Sequence, residues 1–188
     1  MAKFEIAHGI TAKYEGGLAN NKADRGGLTY AGIAENYWPT WKGWPFVKAE
    51  IARHGKDTTA INQHLANHPD VPQLVRDFYK ANFWDTLKLD SLNDQQLANV
   101  VYDFGVNSGI GTSAKKLQAA VVACGVGIGV DGQIGNKTIA AINSLPPVPL
   151  YNAFNIQRTN YYKAIVERDA SQKQFLAGWL KRIKPYQV

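Results

Sequence analysis

Apolar residues recur at three- and four-residue steps along most of the chain, in short runs divided by glycine- or proline-marked breaks. Residues 3–15 place Phe4, Ala7, Ile10 or Thr11, and Tyr14 in that pattern, which predicts an amphipathic helix stopped by Gly16-Gly17. Between residues 18 and 31 the pattern changes. Asn20-Asn21, Asp24 and Gly26-Gly27 supply turn chemistry ahead of the β-prone triplet Leu28-Thr29-Tyr30, so a small β-hairpin or ribbon is expected. A brief helix is expected after Gly32, ending before Pro39. Trp38, Trp41, Trp44 and Phe46 then crowd a Pro/Gly-containing loop that either lines a cleft or closes the core.

Residues 47–67 read as one or two short polar helices around Gly55. Asp70 opens a better helix, reaching about Asn82, with Val71, Leu74, Val75 and Phe78 on one face. Asn93 or Asp94 caps the next, whose stripe is Leu97, Val100, Val101 and Phe104 and whose stop is Gly105 with the NSGIG run. Thr112 or Ser113 starts a helix bearing Leu117, Val121 and Cys124, with Gly125 as its stop. The glycine-dense GVGIGVDGQIGNKT precedes a short helix around Ile139 and Ile142, and PPVP makes a rigid break at 146–149. A long final helical region follows, with a hitch near Ser171. No internal repeat of 20–50 residues is visible. The expected fold class is mainly α (α+β), with about eight helices and one small β-hairpin.

Composition adjusts this picture in three ways. With 188 residues, 45% hydrophobic and 19% charged, the chain suits one compact domain or one domain with an appended lobe. Five Trp and nine Tyr lean towards a sugar-stacking groove, although aromatics fill cores equally well. The net charge of +6 predicts attraction to polyanions: nucleic acid, anionic membrane, or the acidic polymers of a bacterial wall. The basic residues are scattered and no nucleic-acid-binding signature accompanies them, which argues against nucleic acid. The single Cys124 excludes an internal disulfide and reads as a small buried hydrophobe. MAKFEIAHGITAKYE lacks the apolar core and cleavage site of a signal peptide. No run approaches the ~18 apolar residues of a membrane span, so stable membrane insertion is not expected.

The chemistry concentrates in YEGGLANNKADRGGLTYAGI, residues 14–33. Glu15 is expected at a helix C-terminus, where the negative end of the macrodipole disfavours a carboxylate and partial burial raises its pKa further. Both effects suit a general acid. Glycosidase chemistry needs one protonated carboxyl and a second group that stabilises the oxocarbenium-like state or activates water, roughly 5 to 9.5 Å away. Asp24 is the candidate second group, unless it merely makes an Asx-turn and Glu15 a surface pair. Elsewhere, Tyr102 and Asn107 sit where a helix runs into a Gly-rich turn that can present hydrogen-bond groups to a sugar acetamido arm, or simply cap the helix. Asp131-Gly132 lacks the alternating acids and the twelfth-position Glu of a calcium loop. Gly135-Asn136-Lys137-Thr138 lacks the glycine spacing of a phosphate-binding loop. His64 and His68 stand four apart, but no third ligand is obvious, and they read as surface histidines. No Gly-x-Ser-x-Gly is present.

Glu15-Gly16-Gly17, followed by Asn20, Asp24, Gly26-Gly27, Thr29 and Gly32-Ile33, resembles the signature of glycoside hydrolase family 108, N-acetylmuramidases of which some are labelled secretion activators. The resemblance continues through YKANFWD and VYDFGVNSG, and KKLQAAV with VDGQIGNKT resembles the family's usual peptidoglycan-binding partner segment. It implies a lysozyme-like hydrolase segment over 5–92 and a helical peptidoglycan-binding segment over 93–183, packed as one globular unit. It further implies Glu15 as the catalytic residue, acting on the β-1,4 bond between N-acetylmuramic acid and N-acetylglucosamine. The order Glu, eight residues, Asp, then Thr also resembles phage-type lysozymes, whose Asp-to-Thr spacing is one residue longer; it suggests Asp24 and Thr29 as partners. Tyr30, Tyr102 and Asn107 are carried as groove residues. No metal or organic cofactor is required for this chemistry. The expected partner is peptidoglycan, reached from the bacterial cytoplasm after release or by non-standard export, with a holin or secretion apparatus, by a monomer. A lytic transglycosylase using Glu15 alone, and a non-catalytic wall-binding or secretion-assisting protein, are the alternatives.

Overall fold

Apolar periodicity becomes helix through most of the chain in the computed structural model, which describes residues 1–14, 16–20 and 27–187. Helix α1 covers Phe4–Thr11 and tightens into a 3-10 turn over Ala12–Tyr14, so the helical run ends at the residue before Glu15. Three short antiparallel strands follow, β1 (Ala19–Asn20), β2 (Leu28–Tyr30) and β3 (Ile33–Ala34), in the order β1-β2-β3. The link between β2 and β3 is Ala31-Gly32, with φ of 48° and 77°. Positive φ at both central residues is the signature of the two-residue turn whose twist matches a hairpin. That turn replaces the brief helix expected after Gly32: Ile33 pairs back onto Tyr30 instead of opening a helical turn. The Tyr79 hydroxyl donates to the Ala31 carbonyl at 2.8 Å and fixes the turn from outside.

Helices α2 (Trp44–His54) and α3 (Thr58–Ala66) flank Gly55, as the polar periodicity there predicts. The Asp57 carboxylate caps α3 by accepting the Ala60 N–H at 3.0 Å. Helix α4 (Val71–Tyr79) passes into a π-helical turn over Lys80–Trp84. Helix α5 (Gln95–Ser108) is capped by Asp94, which accepts the Leu97 N–H at 2.6 Å. It does not stop at Gly105. Burial on the flanking turns outweighs the ~1 kcal/mol helix penalty of one glycine. Gly109, at φ 89°, ends it instead and leads directly into α6 (Ile110–Ala123), two residues before the expected start at Thr112. Helix α7 covers Asn136–Ser144 and α8 Pro147–Arg168; in α8 Pro147 and Pro149 occupy the first turn, where no intrahelical N–H is needed. The hitch near Ser171 is a 3-10 turn over Ala170–Gln172, and α9 follows over Lys173–Lys181. The described residues thus hold nine α-helices where about eight are expected. Cys124, expected to be buried, is half-exposed, because it caps the end of α6 rather than facing the apolar stripe. No helix among the described residues is long and apolar enough to cross a membrane.

The chain divides into two compact units. One combines Met1–Ala7 with the chain from Phe83 onward; the other is His8–Asn82, inserted between them in sequence. In the first, Phe4, Trp84 and Tyr102 meet edge to face with centroids 5.8–5.9 Å apart. Phe104 packs edge-on against Phe154 and Tyr162. Beside these rings lies a buried ion cluster. Arg158, with no exposed surface, reaches Asp103 at 3.2 Å, and Arg182 reaches the same carboxylate at 2.5 and 3.3 Å. The second unit buries Val47, Ile61, Leu65 and Val71 with Trp41 and Trp44.

A buried cation stripped of its counter-charge costs about 3–5 kcal/mol. Asp103→Asn is therefore expected to lower stability by about that amount. Arg158→Met leaves Asp103 with Arg182 and is expected to cost clearly less; urea unfolding of both variants checks the order.

Candidate functional site

The Glu-Gly-Gly motif is held from outside by one side chain. The Leu18 N–H donates to Oδ1 of Asn62, on α3, at 2.7 Å. A Cβ on Gly17 would stand 2.5 Å from that carboxamide, so Gly17 is the motif glycine that permits the approach, while Gly16 faces open space. At the other end of the motif Gly27 has φ 68°, and a Cβ there would meet the Asn36 carboxamide at 2.9 Å. Two asparagines thus seat against glycine backbone, Asn62 at Gly17 and Asn36 at Gly27. Glu15 and Asp24 themselves lie outside the described residues; Asp24 belongs to the connection from β1 to β2.

Thr29 is the middle residue of the middle strand, opposite Ala19 on one side and Ala34 on the other. Because side chains alternate along a strand, it points away from the face on which Tyr30 and Ile33 are buried. It is half-exposed. Tyr30 is 7% exposed and stacks on Trp41 at 6.3 Å with 21° between the rings; its burial raises the phenol pKa. It is a wall behind the sheet. Trp41 then forms, with Trp38, Phe78, Lys42, Asp77 and Asn82, part of an open pocket of about 390 Å³. The aromatic stretch does both jobs left open by the sequence, with Trp44 and Phe46 in the first turn of α2 rather than in a loop. Trp41 and Trp44 close the core, and Trp38, 37% exposed, faces the pocket. The indole N–H groups are spent on backbone: Trp44 to the Trp38 carbonyl at 2.7 Å, Trp41 to Leu74 at 3.3 Å.

His8, on the last turns of α1, lies 5.4 Å from the Tyr79 ring. Burial, with Arg76 adding to it, lowers its pKa below the ordinary 6.5 and keeps it neutral. Nothing in the spacing of the sequence marks it, and Asn62 lies 44 residues from the backbone group it holds.

Tyr102 and Asn107 both ride on α5, in the other unit. Tyr102 is fully buried among Phe4 and Trp84, so its ring is part of the core. Asn107 is exposed, still helical, and accepts the Tyr162 hydroxyl at 3.1 Å. Asp131 makes a turn: it accepts from Gln118 and from the Gln133 N–H, both at 2.8 Å, and the Gln118 bond is the main cause of its lowered pKa. His68 accepts the Asp70 N–H at 3.1 Å, whereas His64 turns the other way, to Glu50.

A mainly helical chain with one small antiparallel sheet following its first helix fits the lysozyme-like class of fold. A solved structure, SagA of Brucella abortus, shares that fold with a TM-score of 0.64, at 24% identity over 96% of this chain and 88% of that one. The family described as Glycosyl hydrolase 108 matches residues 9–109, more than half of the sequence, and the chain belongs to it. A second family, described as "Predicted Peptidoglycan domain", matches residues 112–184. Together these place the protein in a peptidoglycan-active glycoside hydrolase family. No curated protein matches.

Asn62→Ala removes the acceptor of the Leu18 N–H and is expected to cost about 0.5–1.5 kcal/mol. Gly17→Ala forces the carboxamide aside and should cost more. In the Asn62→Ala background the added methyl meets no carboxamide, so the two changes should be non-additive by about 0.5–3 kcal/mol in urea unfolding.

His8 gives a pH dependence of defined sign. Its folded pKa lies below the unfolded value of 6.5, so as pH falls the unfolded chain takes up the proton first. Its contribution is complete above pH 6.5 and declines as pH drops towards the folded pKa. His8→Gln should flatten that part of the slope in unfolding midpoints measured between about pH 7.5 and 5.

Proposed function

We propose that the protein is an N-acetylmuramidase that hydrolyses the β-1,4 bond between N-acetylmuramic acid and N-acetylglucosamine in peptidoglycan. Glu15 protonates the leaving oxygen. Asp24 stabilises the oxocarbenium-like cation or activates water, and Thr29 positions that water or Asp24. The observation that carries this reading is the co-occurrence, in one chain, of an intact Glu-Gly-Gly motif within the hydrolase match and a peptidoglycan-domain match over 112–184.

Four physical features support it. The backbone after Glu15 is fixed by Asn62, as a general acid requires, since a 1 Å displacement of a reacting group can cost a hundredfold in rate. Thr29 is half-exposed on the face of the sheet opposite the buried Tyr30 and Ile33. The same compact unit carries the Trp38 pocket, an indole face beside Lys42, Asp77 and Asn82, which suits a sugar's apolar face and hydroxyl rim. A net charge of +6 adds salt-dependent attraction to acidic wall polymers.

Glu15→Gln keeps the shape and removes the acid. It is expected to abolish turbidity loss on purified peptidoglycan, a drop of at least a hundredfold, while the melting temperature and sedimentation with the wall stay near wild type. Wild-type lysis by this variant would overturn the assignment. Mass spectrometry of the wild-type digest should show reducing muramic acid ends; 1,6-anhydro ends would instead identify a lytic transglycosylase.

A further inference from the structure

Helices α2 and α3 bring together three metal-capable side chains, none of them a residue of the proposed catalytic motif. Glu50 and His54 lie one helical turn apart on α2, and His64 comes from α3. Oε2 of Glu50 stands 3.3 Å from Nε2 of His54 and 3.3 Å from Nδ1 of His64. One donor atom from each residue lies within 4.8 Å of the others. Glu50 is only 8% exposed, yet its Oε2 has no hydrogen-bond partner, and neither does the buried Nε2 of His54. The other carboxylate oxygen is already used: Arg53 donates to Oε1 at 2.7 Å. Two buried polar atoms close together, neither making a hydrogen bond, are a costly arrangement unless a third body satisfies both.

From this geometry we infer that Glu50, His54 and His64 form a binding site for a divalent transition metal of the zinc class. Zinc bonds to imidazole nitrogen and carboxylate oxygen are about 2.0–2.2 Å, which puts tetrahedral ligand atoms about 3.3–3.5 Å apart. The two Glu50-to-histidine distances meet that edge as they stand. Two imidazoles and one carboxylate are donors that zinc accepts and that calcium or magnesium, which prefer all-oxygen shells, do not. The Arg53 bond to Oε1 orients the carboxylate so that Oε2 faces the histidines, the role an outer hydrogen bond plays in established metal sites. His64 has a 49% exposed side chain, so the fourth position opens to solvent and a path for the ion exists. The His54 and His64 rings already pack 4.6 Å apart at 62°, and closing them on one ion needs side-chain rotation rather than helix movement.

Such an ion would tie α2 to α3, and α3 is the helix whose Asn62 holds the backbone beside Glu15. The pair His64/His68, suggestive in the sequence, is not the site. His68 engages the Asp70 N–H and packs on Phe46, and serves as an internal control.

The test uses the full chain without any affinity tag, stripped of metal by a chelator and titrated with Zn²⁺ in a calorimeter. One equivalent should bind with a micromolar or tighter dissociation constant. The melting midpoint should rise by about 5–10 °C at a hundredfold excess over that constant. Co²⁺ should give the intense visible absorption of a four-coordinate site, and Ca²⁺ and Mg²⁺ should not bind. His64→Ala, at a half-exposed position that should not disturb folding, is expected to weaken Zn²⁺ binding at least tenfold and to bleach the Co²⁺ band, and Glu50→Gln to do likewise. His68→Ala should change neither. Absence of saturable Zn²⁺ binding up to about 100 μM, or binding unchanged by His64→Ala, overturns the inference.

Discussion

A single carboxamide, that of Asn62, holds the backbone just past the Glu-Gly-Gly motif. Between the helical run that ends at Tyr14 and the buried Tyr30, the described residues offer little apolar surface to anchor the chain. Position must come from polar contacts to backbone, and Asn62 provides one by accepting the Leu18 N–H against the open face of Gly17. The arrangement trades side-chain packing for backbone proximity. It requires a residue with no Cβ, and the second glycine of the motif is where that need falls. At Gly27 a Cβ would likewise run into a carboxamide, that of Asn36. The second glycine of the motif is thus a mechanical requirement: it lets Asn62 of α3 come close enough to hold the Leu18 N–H.

The two compact units use polar groups in opposite ways. In His8–Asn82, carboxamides and hydroxyls such as Asn62 and Tyr79 tie loops to helices at the margin of a modest core. In the other unit the main polar feature is internal: Asp103 bridges the long α8, through Arg158, to Arg182 just past α9. A buried carboxylate shared by two guanidiniums adds little net stability over a well-packed apolar core, but it penalises every packing that separates the partners. Gln118, nearly fully buried, does something similar with neutral groups, bonding Asp131, Gly132 and Gln133 together and shaping the glycine-dense loop.

What could be read from the sequence followed distance along the chain. The Asp94 cap, the helix pair around Gly55 and the hitch at Ser171 are all local decisions, made by residues within four positions of each other. The PPVP stretch, expected as a break over 146–149, instead supplies the first turn of α8 from Pro147 onward. The strand at Ile33–Ala34 was missed because a two-residue turn at Ala31-Gly32 needs no Asn-Gly to form when a tyrosine from α4 holds it. Gly105 was mistaken for a stop because propensity alone does not register burial. For the site, the glutamate motif is visible in one line of sequence, but Asn62 is not. Its partner is 44 residues away, and an asparagine in a polar helix carries no mark. The same holds for His64. Its four-residue spacing to His68 drew attention to the wrong neighbour, while Glu50 and His54 come to it only through the packing of two helices.

The insertion of His8–Asn82 within the other unit carries a consequence for how the molecule can be taken apart. The first seven residues belong with the chain after Phe83, where Phe4 fills a corner between Trp84 and Tyr102 and the Ala2 N–H bonds the Leu92 carbonyl at 2.8 Å. Any single cut between the units along the sequence removes Phe4 from one fragment and strands it on the other. The contiguous His8–Asn82 stretch stays whole in such a division, and it is the other unit that loses part of its core. The unit that contains the peptidoglycan-domain match is completed by residues 1–7, so a fragment that starts at Phe83 leaves the place of Phe4 between Trp84 and Tyr102 unfilled.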